Sequence, residues 1–149
     1  MIILKLTNLD GLYTNFWVKN LYCSGNYLDN IEGIKKFKFL NLLHIENNRL
    51  SNLDKFLKFI SWFAFLEYLN LSGNPLAEEP DYRLKVIKSI PSLKVLDKHI
   101  ISVQERIKAE NHFIPNSPSN IKLKEKTIKG QKLKMSKGEK DLYNTVRSI

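Results

Sequence analysis

The sequence predicts an α/β solenoid: a short stack of repeats with parallel strands on the concave face, helices or turns on the convex face, and a helical cap at its C-terminal end. Two observations predict it. A leucine pattern recurs three times within the first half of the 149 residues, and a stretch with helical spacing follows the third copy. A single repeat cannot bury its own apolar face, so repeats of this kind must stack.

The repeat has the pattern L-x-x-L-x-L-x-x-N-x-L. It occurs as VKNLYCSGNYL at 18–28, LNLLHIENNRL at 40–50 and LEYLNLSGNPL at 66–76, so that successive copies start 22 and 26 residues apart. Alternation predicts a short strand with one face turned inward. The inward set is Leu21, Cys23, Leu43, Ile45, Leu69 and Leu71. Asparagine at the ninth position (Asn26, Asn48 and Asn74) is expected to turn inward and satisfy backbone groups where the chain leaves the strand.

A second pattern follows each asparagine and predicts the convex half of each repeat. Three leucine or isoleucine positions, or a phenylalanine in the last copy, are expected to point into the core. They are Leu6, Leu9 and Leu12, then Leu28, Ile31 and Ile34, then Leu50, Leu53 and Phe56. The first copy has no strand half before it. Either preceding repeats were lost, the sequence is truncated, or a partner covers the face formed by Leu4, Leu6, Leu9 and Leu12.

The repeat that starts at Leu40 is four residues longer than the one before it, and the extra residues lie in its convex half. Leu53, Phe56, Leu57, Ile60 and Ala64 have helical spacing, which predicts a full α-helix. Three aromatic residues, Phe59, Trp62 and Phe63, then lie toward the other side. They are interpreted either as core between repeats or as an exposed convex patch that docks a partner.

The segment after the third repeat predicts a cap. Apolar spacing predicts a helix that Pro91 ends, followed by a strand-like rung and a turn capped by Asp97. The apolar positions are Tyr82, Leu84, Val86, Ile87 and Ile90 in the helix and Leu93, Val95 and Leu96 in the rung. Arg83 is expected to pair with an acid near in sequence, namely Glu78, Glu79 or Asp81. A capping box of Ser102 and Glu105 predicts one more short helix, to Ala109.

These sequence motifs, above all NPLAEEPDYRLKVIKSIPSLKVLD, resemble the C-terminal cap of the protein-phosphatase-regulator-like class of leucine-rich repeats. The resemblance extends over about residues 6–112. Within this class, the sequence is most similar to cilium-associated members, such as the leucine-rich repeat-containing protein 72 group. The resemblance implies a non-enzymatic protein-interaction scaffold or adaptor in a large assembly, with the ciliary or flagellar axoneme preferred. The alternatives are a spliceosomal A-prime-like protein that binds an RNA-binding partner, and a phosphatase-regulatory subunit.

The concave face is the predicted partner-binding surface. Stacking brings Tyr22, His44 and Asn70 into one row, flanked by a row of Asn20, Leu42 and Tyr68 and a row of Ser24, Glu46 and Ser72. Leu42 between two tyrosines would form a small apolar centre with a polar rim. That arrangement is typical of protein-binding patches.

Composition disfavours catalysis, cofactors and metals. Cys23 is the only cysteine, so no intramolecular disulfide forms, and the three histidines lack ligand spacing with it. Phosphate-loop, zinc-protease and nucleophile-elbow motifs are absent from the sequence, and so is any apolar run long enough to span a membrane. The sequence therefore predicts no enzyme, no cofactor, no metal site and no membrane partner.

The net charge of +9 is concentrated at the C-terminal end. Residues 114–149 contain nine basic and three acidic residues, whereas residues 1–113 contain fifteen basic and twelve acidic residues. The near balance of charge over residues 1–113 disfavours direct nucleic-acid binding by that part of the chain. The predicted domains are 1–97 for repeats and cap (cap at 82–97), 98–113 for a trailing cap helix, and 114–149 for a basic tail that is disordered or ordered by a partner.

The tail is interpreted either as a solvated extension or as an electrostatic arm on an acidic surface such as a microtubule. Its charge comes mainly from Lys122, Lys124, Lys126, Lys129, Lys132, Lys134, Lys137 and Lys140. The expected location is the cytoplasm and the cilium or flagellum, with the nucleus as the alternative.

Overall fold

The computed structural model describes residues 7–10 and 16–112. Its centre is a five-stranded sheet in the order β1-β2-β3-β4-β5, in which the first four strands are parallel and the fifth pairs antiparallel with the fourth. The strands are β1 (Asn20–Tyr22), β2 (Leu42–His44), β3 (Tyr68–Asn70), β4 (Val95–Leu96) and β5 (His99–Ile100). Parallel strands stacked in sequence order confirm the predicted α/β solenoid.

The segments between the strands form the convex side. The α-helices are α1 (Leu53–Ile60), α2 (Tyr82–Ser89) and α3 (Val103–His112), and short 3₁₀ turns occupy Glu32–Ile34 and Pro75–Glu78. One compact unit ends at Ala109; of the second, Glu110–His112 are described.

The leucine pattern correctly predicts the core. The described inward positions of both halves of the repeat are buried, except Leu21, which is partly buried against the same core. The buried set is Leu9, Cys23, Leu28, Ile31, Ile34, Leu43, Ile45, Leu50, Leu53, Phe56, Leu69 and Leu71. Leu4, Leu6 and Leu12 lie outside the described residues.

The repeat asparagines link one rung of the stack to the next. Asn48 accepts a hydrogen bond from the Leu28 backbone N–H at 3.0 Å through Oδ1, and donates from Nδ2 to the carbonyls of Cys23 and Ile45 at 2.9 Å. Asn74 repeats this pattern one rung later and is equally buried. Asn26, in the first rung, is half-buried and donates to the carbonyl of Cys23. The predicted inward turn of the asparagines is therefore confirmed at the two inner rungs.

The predicted helix of the repeat that starts at Leu40 is shorter than its apolar spacing indicated. It begins at the cap residue Asn52, whose Oδ1 accepts from the Lys55 N–H, and ends at Ile60. The chain then tightens, with the Phe63 N–H donating to the Ile60 carbonyl and the Leu66 N–H to that of Phe63. Ala64 is consequently exposed, and its predicted place in the apolar stripe was wrong.

The cap covers the last repeat as predicted. Helix α2 buries Tyr82, Val86 and Ile87 and ends just before Pro91. Asp97 fixes the cap to the stack, because Oδ1 accepts from the Leu71 N–H at 2.7 Å and Oδ2 accepts from the Tyr82 hydroxyl at 2.9 Å. Burial and the neighbouring Asp97 charge raise the pKa of Tyr82, so its hydroxyl keeps the proton that it donates.

Arg83 has a structural role, but its partner differs from the predicted one. Its Nε donates to Glu105 Oε1 at 2.7 Å, and Nη1 donates to the Leu96 carbonyl at 3.2 Å. Glu105 is brought there by the predicted capping box, in which its carboxylate accepts from the Ser102 N–H and its own N–H donates to Ser102 Oγ. Arg83 binds an acid 22 residues away, and not the acids near it in sequence, because α3 packs back onto α2.

The Arg83–Glu105 pair predicts a pH dependence of stability. The Arg83 hydrogen bond, followed by that of the Ser102 N–H, lowers the pKa of Glu105 from 4.5 to about 2. A lowered folded-state pKa stabilises the fold above the unfolded pKa, and this contribution is lost as pH falls through the folded value. The free energy of unfolding of the wild type should therefore exceed that of Glu105→Gln most above about pH 5, with the difference shrinking toward about pH 2.

Urea unfolding at several pH values measures this difference. Glu110→Gln, an exposed change on the same helix, is the matched control. A gap between wild type and Glu105→Gln that stays constant from neutral to acid pH would contradict the assignment.

Candidate functional site

The outward residues of the strands form three rows across the concave face. Strand register aligns Asn20, Leu42 and Tyr68 in one row and Tyr22, His44 and Asn70 in the next. The third row, Ser24, Glu46 and Ser72, follows the strands; there the Gly25 N–H donates to the Glu46 carbonyl and the Asn47 N–H to that of Ser72. The register thus aligns the nine predicted residues in three neighbouring rows.

The middle of this face is apolar. Leu42 is half-buried in the middle of its row, Tyr68 beside it in β3 is more than a third exposed, and Tyr22 is 65% exposed. The Tyr22 ring meets the ring of His44 edge-on, with centroids 5.3 Å apart and planes at 70°. An edge-to-face pair of this kind holds both side chains in place. The face therefore presents a preformed aromatic and leucine surface.

Asn70 does not belong to the accessible surface, although the sequence placed it there. Its side chain is 1% exposed, and its Oδ1 accepts from the Ser72 hydroxyl at 2.8 Å. The cap causes this burial, because Asp97 hydrogen-bonds to the Leu69 carbonyl and the Leu71 N–H on either side of Asn70. Within the described residues, Nδ2 of Asn70 and Oε2 of Glu46 are buried without a hydrogen-bond partner. The accessible part of the face is therefore centred on the first two strands.

The predicted convex patch does not form as a unit. Phe63 is buried, Phe59 is half-buried with its ring 5.8 Å from that of Phe63, and only Trp62 is exposed, at 74%. The early end of α1 turns Phe63 into the core, which the helical spacing could not indicate. Lys35 Nζ lies 5.8 Å from the centre of the Trp62 ring.

Sequence reasoning missed a second exposed aromatic row. Trp17, Phe39 and Phe65 each stand three residues before the first residue of a strand, and their side chains are 71%, 39% and 56% exposed. The rings of Trp17 and Phe39 stack at 5.0 Å, and those of Phe39 and Phe65 at 5.9 Å. An aromatic residue at the same position of three successive repeats was the available signal. We call these three residues the aromatic ladder.

The described residues offer little reactive chemistry. Burial raises the pKa of the Cys23 thiol to about 11, so the thiol remains protonated and packs as a small apolar group. The described part of the chain holds no group of three or more histidine, cysteine or acidic residues able to bind a metal. A groove of about 240 Å³ between convex segments, lined by Ile31, Lys55 and Phe59, is below the usual size of a ligand pocket.

Two further predictions concern the ends of the chain and membranes. The eight tail lysines from Lys122 to Lys140 lie outside the described residues. Among the helices that are described, none is long and apolar enough to cross a bilayer.

Comparison with known proteins gives a family match and two kinds of relative. A family model described as leucine-rich repeat matches residues 4–126. Dynein axonemal assembly factor 11 of Trypanosoma brucei brucei is 29% identical over 110 residues, covering 60% of this chain and 29% of that protein. U2 small nuclear ribonucleoprotein A′ of Candida albicans is 32% identical over 153 residues, covering 99% of this chain and 64% of that protein.

A solved structure has the same fold. A chain in the crystal structure of the Drosophila melanogaster SNF/U2A′ complex aligns with a TM-score of 0.62 and 25% identity, covering 73% of this chain and 62% of that one. The chain spans less than two thirds of the length of the first curated relatives it matches.

Proposed function

The chain belongs to the leucine-rich repeat family, and from that membership we propose that it is a non-enzymatic scaffold that binds a protein partner on its concave face. One observation carries this proposal: the strand register sets Leu42 beside Tyr68 and places Tyr22 against His44, all on the outward side. Aromatic and leucine side chains with a polar surround are the usual anchors of a protein interface.

The size of this surface limits the partner segment. Adjacent strands lie about 4.8 Å apart, so the first three strands span roughly 10 Å. That width suits one helix or one extended segment of a partner. Such a segment would place an apolar side chain on Leu42, and polar groups toward Asn20, Ser24 and Glu46.

For the cellular assembly, we propose the ciliary or flagellar axoneme. Two observations support this choice: the likeness to dynein axonemal assembly factor 11 and the resemblance of the cap to cilium-associated members, including the leucine-rich repeat-containing protein 72 group. The basic tail, with nine basic and three acidic residues from Ile114 onward, would act as an electrostatic arm toward an acidic surface such as tubulin. On this proposal we expect the protein in the cytoplasm and the cilium.

A second candidate is an A-prime-like protein of the nucleus that binds an RNA-binding partner protein. It is favoured by the match to U2 small nuclear ribonucleoprotein A′, which covers 99% of this chain, and by the fold shared with a chain of the SNF/U2A′ complex. Both candidates use the concave face, so they differ in the partner and in the compartment. No observation favours the phosphatase-regulatory alternative in the same way.

The double substitution Leu42→Arg with Tyr68→Ala tests the concave face. We expect at least about tenfold weaker retention of the protein on demembranated axonemes, because a charge replaces the apolar centre and one aromatic anchor is lost. The fold should persist, since neither side chain is fully buried. Retention is measured by co-sedimentation, with circular dichroism to verify folding.

Lys58→Ala, an exposed change on α1, is the control and should leave retention unchanged. Undiminished retention of the folded double variant would refute the concave-face proposal. If the wild-type protein is recovered only with nuclear ribonucleoprotein, the axonemal proposal fails and the second candidate replaces it.

A further inference from the structure

The aromatic ladder lies before the strands, whereas the concave rows lie on and after them. Its members precede β1, β2 and β3 by the same number of residues, so the parallel register brings the three rings into one stack. The residues next to Phe39 and Phe65, Leu40 and Leu66, are fully buried. The ladder side chains consequently face outward and expose a continuous apolar strip, which is typical of an interaction site.

The ladder ends where the cap begins. The corresponding position before β4 is Ser92, whose hydroxyl donates to the Leu66 carbonyl at 2.7 Å. Because this position is a serine whose hydroxyl is bonded to the preceding rung, no fourth ring stacks on Phe65 from there. The exposed strip is thus limited to the three repeats.

The stacked geometry decides which groups the ladder can bind. Trp17 and Phe39 are nearly parallel, with planes at 8°, and Phe39 and Phe65 are inclined by 29°. The ring faces that point at each other within the stack are therefore occupied by the rings themselves, and the ring edges along the stack remain for contact with a partner. Ring edges carry partial positive charge, so they attract carboxylates and pack with apolar side chains. Nucleobases, which need free ring faces, find few here.

The sequence stretches that carry the ladder residues contain basic side chains and no acidic ones. Residues 16–28, 33–45 and 55–66 contain no aspartate or glutamate, whereas Lys19, Lys35 and Lys38 lie in the first two of these stretches. None of these three lysines takes part in a salt bridge within the described part of the chain. Glu67, the acid nearest to Phe65 in sequence, is held by Lys94 at 2.8 Å, and this bond lowers the pKa of Glu67.

We infer that the aromatic ladder is a second docking surface, and that it binds an acidic segment of a partner protein. Leucine or phenylalanine side chains of that segment pack on the ring edges, and its carboxylates pair with Lys19, Lys35 and Lys38. The chain's own tail carries the wrong charge for this site, since residues 114–149 hold nine basic and three acidic residues. Charge complementarity therefore selects an acidic partner over an intramolecular contact.

A peptide titration of the full-length protein tests this inference. The probe is a fluorescein-labelled 15-residue peptide that alternates aspartate or glutamate pairs with leucine and phenylalanine, and binding is followed by fluorescence polarisation. Trp17→Ser with Phe65→Ser should weaken binding at least about tenfold, because two ring edges are lost. Lys35→Glu with Lys38→Glu should weaken it by a similar factor, and it does so at exposed positions that leave folding intact.

Three controls make the outcome decisive. A peptide with lysine in place of each acid should bind at least tenfold more weakly, Tyr22→Ser on the concave face should bind the acidic peptide like wild type, and Leu42→Arg with Tyr68→Ala should do the same. The inference is overturned if the acidic and lysine peptides bind equally, if a 15-nucleotide oligouridylate binds more tightly than the acidic peptide, or if the concave variants weaken binding as much as the ladder variants. Because those concave variants should still bind the acidic peptide, failure of the concave-face proposal and failure of this one are distinguishable.

Discussion

Replacing Asn48 by alanine should lower the free energy of unfolding by about 3–5 kcal/mol. The wild-type amide accepts from the Leu28 N–H and donates to the carbonyls of Cys23 and Ile45, all at 2.9–3.0 Å and all buried. Alanine removes these bonds and leaves the buried Leu28 N–H without its acceptor, which alone costs about 1–3 kcal/mol. The carbonyls of Cys23 and Ile45 keep the amides of Asn26 and Asn74 as donors, so each of these two lost bonds costs only about 0.5–1.5 kcal/mol. Guanidinium unfolding followed by circular dichroism measures the loss.

Asn26→Ala provides the matched comparison for this prediction. Asn26 has the same place in the first rung, but it is half-buried, and its amide donates to the carbonyl of Cys23 at 2.8 Å. Water can replace part of what is lost there, so we expect a cost of only about 1 kcal/mol. Equal losses for Asn26→Ala and Asn48→Ala would mean that the asparagine hydrogen bonds do not link the rungs as described.

The part of the fold that follows from local pattern was predictable from the sequence. Alternation of leucines and the recurring asparagine specify which side of a three-residue strand faces inward, and the register of β1 to β3 follows once the repeats stack. Pro91 and the Ser102–Glu105 capping box specify the limits of α2 and α3 for the same reason, because each acts within one helical turn. These features depend on neighbours in sequence.

The features that were not predicted depend on distant contacts or on competition for the core. Helical spacing continues to Ala64, but the core accepts Phe63 instead, and α1 ends at Ile60. Arg83 bonds to Glu105 because α3 folds back on α2. Likewise, the burial of Asn70 results from the cap, and the aromatic ladder appears only when residues that are 22 and 26 apart are stacked. The concave rows could therefore be placed from the sequence, whereas their accessible limits could not.

Replacing Arg106 by alanine should destabilise the cap by about 2–4 kcal/mol. Its Nη1 donates to the carbonyls of Ile87 at 2.6 Å and Ile90 at 3.1 Å, and Nη2 donates to the carbonyl of Leu93. These carbonyls belong to the end of α2 and the turn through Pro91, where a helix leaves acceptors without internal partners. One guanidinium thus supplies donors to the carbonyls of the last turn of α2 and holds α3 against that turn. Its positive charge lies at the negative end of the α2 dipole, which is a favourable position.

Arg106→Lys and Lys108→Ala separate these contributions. Lysine keeps the charge but lacks the planar fork that reaches several carbonyls at once, so we expect it to recover less than half of the loss. Lys108 is exposed on the same helix, and its replacement by alanine should change the free energy of unfolding by less than about 0.5 kcal/mol. Hydrogen exchange should show earlier opening of α2 and β4 in Arg106→Ala than of β1 and β2, because the cap loses its attachment before the repeats do. Uniform exchange from β1 to β4 would instead mean that the cap and the repeats unfold as one cooperative unit, with Arg106 acting on the whole stack.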